Sequence, residues 1–232
     1  MNVLAFETCF GACSAAVSVA RGTGEARVES LFEARETGHA EALTHMIEAT
    51  LARARLDMAD VDRFAVTIGP GTFTGTRIGI AAARAFALAT GKPVVAATSL
   101  AVMARQAADE LDNSLNEDLL VAVDARRGAL YAQLFAPDGW RARTAPLLLS
   151  PAGAGAAGAG PLLVVGSGAE TVAAEARRSG RAVTTALPNL LPNARALLQL
   201  AFQLEPLSGP PAPLYLREPD AKPQDGYAMA RA

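Results

Sequence analysis

Histidine, cysteine and aromatic residues are scarce in this 232-residue chain, which has two histidines, two cysteines and 5% aromatics. Cys9 and Cys13 are not in CxxC spacing, and no Cys or His cluster completes a zinc site. They read as small buried apolar residues of a reducing compartment. His39 and His45 are six residues apart on one predicted helix, so they face different directions and cannot chelate one ion together. Charge of one sign is also missing: 21 basic and 23 acidic residues leave a net charge of -2. A domain that grips nucleic acid alone shows a basic surplus or stripe, so direct RNA binding by this chain alone is not expected. The longest uncharged stretch, Thr144–Ala169, is broken by Pro146, Pro151, Pro161 and several glycines, which argues against a membrane helix. Met1–Phe10 lacks a basic n-region and has Glu7 inside its apolar run, so no signal peptide is expected and the cytoplasm is the simplest address.

What the chain has is alanine. It is 51% hydrophobic with few large side chains, a composition that builds cores by close approach of backbones. The pattern predicts three strands, Val3–Thr8, Cys13–Ala20 and Glu25–Glu33, the last after a turn at Arg21–Gly24. A helix follows over His39–Arg55, with Leu43, Met46, Ile47, Thr50, Leu51 and Ala54 at helical spacing. Arg63–Ile68 reads as a buried strand, Gly75–Thr90 as a helix stopped by Gly91 and Pro93, and Pro93–Ala97 as another strand. The order then restarts: a helix at Leu100–Leu111, a strand pair at Leu119–Asp124 and Ala129–Ala136, a strand at Leu162–Val165, and helices at Ala169–Ser179 and Asn193–Leu204. No sequence repeat is visible, yet the recurrence of strands and helices predicts two related lobes. These are expected over residues 1–98 and 99–217, with a disordered tail over 218–232. The Ala/Gly stretch Ala152–Gly160 is expected to be a loose loop, because glycine at that density makes helix costly.

Two strand ends carry candidate chemistry. Gly69-Pro70-Gly71-Thr72-Phe73-Thr74-Gly75-Thr76-Arg77 runs from a strand into a helix. Its glycines allow a tight turn, Thr74 or Thr76 could cap the helix, and free N–H groups there suit an anion. A ligand-free strand-to-helix turn fits equally, since the Lys-Ser/Thr ending of a phosphate loop is missing. Glu7 and Thr8 close the first strand, and Asp124 closes a strand of the second half in the same manner. These residues, with Gly166 and Gly168 of Gly166-Ser167-Gly168, form a candidate nucleotide cleft. The alternative is that each carboxylate caps a turn or pairs with Arg126 or Arg127. The Gly75–Thr90 helix is apolar on every side, with Arg77 and Arg84 its only charges, so it must be covered on every side. Either the monomer buries it or another chain does.

Val3–Thr8, His39-x-x-x-Leu43-x-x-x-Ile47, GPGTFTGTRIGIAAARAFA (Gly69–Ala87), VDARRGALYA (Val123–Ala132) and PLYLR (Pro213–Arg217) occur in this order. Together they resemble the TsaB family over nearly the whole chain, Gly69–Gly79 being the most specific part. The resemblance implies a two-lobed α/β fold of the actin-like ATPase type, each lobe a mixed sheet with flanking helices. It further implies a part in the bacterial machinery that places threonylcarbamoyl on tRNAs reading ANN codons. The role implied is a non-catalytic scaffold that dimerises with the catalytic paralogue TsaD and works with the ATPase TsaE. TsaD carries a paired-histidine metal motif after the strand equivalent to Pro93–Ala97. Here Thr98–Ala104 follows, with no His, Cys, Asp or Glu.

The partner face expected from helix patterning and resemblance comprises His39, Leu43, Met46, Ile47, Thr50, Arg77, Ile78, Ala81, Ala82, Ala85 and Leu88. Without the paralogue the same helices are expected to pair as a homodimer. tRNA is reached only through the complex, no metal or catalytic residue is assigned, and ATP or ADP enters at most through the complex. The competing expectation is a stand-alone ATP-dependent kinase-like or carbamoyl-transfer enzyme of the same fold. An older glycoprotease label for the family finds no HExxH and no nucleophile–base pair in these residues.

Overall fold

The computed structural model describes residues 1–20, 26–112 and 115–217. The turn expected at Arg21–Gly24, the start of the third strand at Glu25 and the tail from Glu218 lie outside the described residues.

The first half runs β1 (Val3–Glu7), β2 (Ala12–Val19), β3 (Arg27–Ala34), α1 (His39–Ala54), β4 (Arg63–Thr67), α2 (Phe73–Thr90), β5 (Val94–Ala97) and α3 (Ser99–Glu110). The second repeats that order: β6 (Asp118–Asp124), β7 (Leu130–Phe135), β8 (Leu147–Leu149), α4 (Pro151–Gly155), β9 (Leu162–Val165), α5 (Ala169–Arg178), β10 (Val183–Ala186) and α6 (Ala194–Ala201). The strand order is β3-β2-β1-β4-β5 in one sheet and β10-β9-β6-β7-β8 in the other. Read from the first strand of each half, these are the same arrangement: two antiparallel neighbours on one side and two parallel ones on the other. The two related lobes expected from element order are therefore present.

Alternation along β1 sorts the first core. Leu4 and Phe6 point to the face covered by α1 and α2, where Leu43, Met46, Ile47, Leu51, Ala83 and Phe86 meet them. Val3 and Ala5 point to the opposite face, which α6 covers with Ala194, Leu197 and Leu198. In the second sheet, Leu120, Ala122 and Leu162 pack beneath α4 and α5. Leu119, Val121 and Val165 face α3, together with Cys9 and Phe10 of the first half. The last helix of each half thus crosses to the other half's sheet. α3 covers the second sheet, α6 the first, and the two helices pack on each other between the sheets. The two halves are interlocked.

Four elements depart from the sequence reading. The Ala/Gly stretch begins with the one-turn helix α4, because the Ser150 hydroxyl caps it by accepting from the Gly153 amide at 3.1 Å and Pro151 opens it. β8 and β10, of three and four residues, form by pairing with β7 and β9. α2 starts at Phe73, two residues early, and its cap is Thr72, whose hydroxyl accepts from the Gly75 amide at 3.1 Å. Thr74 and Thr76, the expected caps, lie within the helix. Among the described residues, no helix is long and apolar enough to cross a membrane.

Candidate functional site

The segment Gly69–Gly79 is built around close backbone approach. A Cβ on Gly71 would stand 2.2 Å from the Cys9 carbonyl oxygen, and one on Gly79 would stand 2.8 Å from Oγ1 of Thr8. Glycine is needed because this loop and the start of α2 lie directly on the turn that follows β1. The Thr72 amide donates to the Cys9 carbonyl at 2.5 Å, and the Thr8 hydroxyl donates to the Gly75 carbonyl at 2.7 Å. The Thr72 and Gly75 amides are thus used internally, which favours the ligand-free reading of this turn.

Beneath it lies a buried polar chain. The Thr76 hydroxyl donates to Cys9 Sγ at 3.7 Å, and the Cys9 thiol donates to Thr67 Oγ1 at 3.2 Å. The Thr67 hydroxyl and the Cys9 amide both donate to Oε1 of Glu7, at 3.2 and 2.5 Å. Glu7 is fully buried, and its Oε2 has no hydrogen-bond partner among the described residues. Burial pushes its carboxyl up from 4.5 to about 7, against the lowering effect of the Cys9 amide, the Cys9 thiol and the Thr67 hydroxyl. Burial likewise raises the thiols: Cys9 far above its ordinary range, and Cys13 up to about 12 with the Glu7 charge as a second cause.

Among the candidate nucleotide residues, Asp124 lies beside the Gly166–Gly168 loop, its amide donating to the Ser167 hydroxyl oxygen at 2.9 Å, whereas Glu7 and Thr8 are buried. Glu7 and Thr8 have no exposed surface, since the start of α2 seals them. Asp124, at the equivalent strand end, is exposed, and its Oδ1 accepts from the Arg126 amide at 2.8 Å. That is the turn-capping role weighed for it. Gly166 is required by packing and by its positive φ of 94°, a Cβ there standing 2.5 Å from the Ala122 carbonyl oxygen, while a Cβ on Gly168 would press on the Leu130 side chain at 2.8 Å.

The expected partner face also divides. His39, Leu43, Met46, Ile47 and Thr50 are buried against their own sheet, and the His39 ring nitrogen Nε2 lies 3.1 Å from the Phe10 carbonyl oxygen. These five are core residues and not a docking surface, because the apolar stripe of α1 is the side that covers β2 and β3. Ile78 and Ala82 are half-buried in the same core. Arg77, Ala81, Ala85 and Leu88 remain exposed, Leu88 at 89%. With Phe73 they form one stripe along α2 at helical spacing. Complete burial of α2 within the monomer does not occur.

Two residues that the sequence reading passed over complete this surface. Phe73 and Tyr215 stack with ring centroids 5.7 Å apart, and the Arg77 guanidinium lies 3.7 Å above the Phe73 ring. Arg77 Nε also donates to the Tyr215 hydroxyl at 2.7 Å. Their signal in the sequence is that each lies inside one of the family motifs, Gly69–Ala87 and Pro213–Arg217. The Pro213–Arg217 segment thus touches Gly69–Arg77, and at its far end the Arg217 guanidinium donates to the carbonyls of Ala125 and Arg126. Three separate motifs meet along one line.

A duplicated mixed sheet with its terminal helices exchanged defines a two-lobed α/β protein. Residues 33–143 match the family model described as TsaD, tRNA N6-adenosine threonylcarbamoyltransferase. An uncharacterised protein of Mycobacterium tuberculosis (strain H37Rv) is 38% identical over 189 residues, 80% of this chain and 78% of the relative. The tRNA threonylcarbamoyladenosine biosynthesis protein TsaB of Escherichia coli K12 is 32% identical over 131 residues, 56% of this chain and 53% of that protein. A crystal structure described as an uncharacterised protein with similarity to peptidase YeaZ from Pseudomonas aeruginosa superposes with a TM-score of 0.78. It is 29% identical and covers 93% of this chain and 99% of that one. The chain belongs to the TsaB (YeaZ) family.

Proposed function

We propose that this chain is a non-catalytic scaffold subunit in the biosynthesis of threonylcarbamoyladenosine on tRNA. It pairs through α2 with a TsaD-type catalytic paralogue in the cytoplasm, works with a TsaE-type ATPase, and meets tRNA only through the complex. The carrying observation is the open stripe Phe73, Arg77, Ala81, Ala85 and Leu88. Leaving a leucine 89% exposed in the last turn of a helix whose open face is otherwise small residues forgoes burial of about 25 cal/mol per Å² of apolar surface. Alanines at 81 and 85 would let a second helix come close, and a second copy of this chain would use the same face in the paralogue's absence. A partner gained this way acts by population shift, the scaffold binding the competent state of the transferase more tightly than the other.

Leu88→Asp is the direct test, because Leu88 touches little of its own core, whereas Ile78 is part of it. Co-expression with a TsaD-type partner should give co-purification with the unaltered chain and none with Leu88→Asp, and modified tRNA should fall in step. Retention of the partner by the Leu88→Asp chain would remove α2 as the interface. Steady ATP turnover by the isolated chain, lost on Asp124→Ala, would overturn the scaffold reading in favour of an enzyme.

A further inference from the structure

Residues 211–217 run from a buried Pro211 across the surface to the second half and are fastened at four points. Arg84 of α2 donates through Nε to the Pro211 carbonyl at 2.9 Å. The Leu214 amide donates to the Ile68 carbonyl, at the end of β4, at 2.7 Å. Tyr215 is held by the Phe73 ring and by Arg77. Arg217 then reaches the other half: its guanidinium donates to the Ala125 carbonyl at 2.8 Å and the Arg126 carbonyl at 3.2 Å.

Those two carbonyls belong to an unusual turn. Arg126, Arg127 and Gly128 are consecutive residues with φ of 63, 55 and 72°. Two of the three have side chains that disfavour the left-handed region, so the turn needs support from outside itself. Its own bonds include the Arg126 amide to Asp124 Oδ1 at 2.8 Å, the Ala125 amide to the Ala129 carbonyl at 2.9 Å and the Ala129 amide to the Arg126 carbonyl at 3.2 Å. The Arg217 fork adds two charge-assisted bonds, one to the Arg126 carbonyl that the turn already uses and one to the Ala125 carbonyl.

We propose that residues 211–217 are a strap that couples the exposed face of α2 to the Ala125–Gly128 turn of the second half, so that a change at one end alters the other. Arg217 is the positioning residue at the turn, and Tyr215 is the one at the helix. α2 and the turn are thereby joined through two side chains. An event on the α2 face that displaces Tyr215 loosens the hold of Arg217 on the turn. The proposal goes beyond the scaffold reading and holds for the isolated chain, whether or not α2 carries a partner.

Amide hydrogen exchange on the full chain, followed by mass spectrometry, reads both ends separately. Arg217→Ala should speed exchange across residues 125–129 by roughly tenfold, the loss expected of hydrogen bonds to a charged donor. Arg217→Lys, which cannot reach both carbonyls as a fork, should fall between. Tyr215→Ala touches nothing in the turn, yet should speed the same 125–129 peptides. Tyr215→Phe keeps the ring stack and removes only the hydroxyl. It should shift those peptides in the same direction, and it serves if Tyr215→Ala fails to fold. Exchange in 125–129 that is unchanged in Arg217→Ala overturns the support of the turn. Unchanged exchange there in both Tyr215 variants overturns the coupling.

Discussion

A Cβ atom added to Gly75 would lie 2.0 Å from the carbonyl oxygen of Thr8, which places the first turn of α2 directly upon the turn after β1. Gly75→Ala is therefore expected to destabilise the fold. Alanine gains about 1 kcal/mol of helix propensity over glycine, but the backbone oxygen it meets cannot rotate away. Overpacking of this kind costs about 1–3 kcal/mol and more where backbone must move. Gly11, with open space where its Cβ would be and no positive φ, is the control and should accept alanine within about 0.5 kcal/mol. Urea denaturation followed by circular dichroism compares the two, and a Gly75→Ala chain as stable as the Gly11→Ala chain would contradict the packing account.

The buried carboxyl of Glu7 makes stability depend on pH. Its folded-state pKa of about 7 lies above its ordinary 4.5, so between those values the folded chain holds a proton that the unfolded chain has released. Stability from this group is therefore greatest below pH 4.5 and is lost as pH rises to about 7, by on the order of 3 kcal/mol. Glu7→Gln keeps a carbonyl oxygen for the Cys9 and Thr67 donors and cannot ionise. It should abolish this slope and leave the variant more stable than the unaltered chain at pH 8. Melting temperatures at pH 5, 6, 7 and 8 measure this. An unaltered chain that gains stability relative to Glu7→Gln as pH rises would reverse the sign and refute it.

α1 and α2 should answer substitution differently. Ile47 is 3% exposed and packs in the first core, so Ile47→Ala should cost about 2–5 kcal/mol. Leu88→Asp, on the open face, should change the stability of the monomer by no more than about 0.5 kcal/mol. Guanidinium unfolding of each at low protein concentration gives both values. A large loss for Leu88→Asp in the monomer would mean that the exposed leucine is held by its own chain.

The comparison of α1 with α2 shows how far the sequence can be read. The spacing of Leu43, Met46, Ile47 and Thr50 announces a one-sided helix, and a one-sided helix covers its own sheet. To place the same residues on a partner face asked the stripe to do two things at once. α2, apolar all round, announces that something must cover it but not what, because that depends on which elements arrive from elsewhere in the chain. Phe73 and Tyr215 are 142 positions apart by numbering, and their stack could be found only once the strap was placed.

The amino-acid order alone determined the longer strands and helices, their recurrence in two halves, the α2 stop at Gly91 and the motifs that mark the family, since each rests on neighbours within a few positions; the short β8, α4 and β10 it did not. Tertiary structure alone decided that α3 and α6 exchange sheets, that Glu7 is sealed beneath α2 while Asp124 faces solvent, and that α2 keeps one side open. Burial is a property of surfaces brought together from distant segments. A carboxylate at a strand end is therefore the same letter whether the next helix closes over it or leaves it in water.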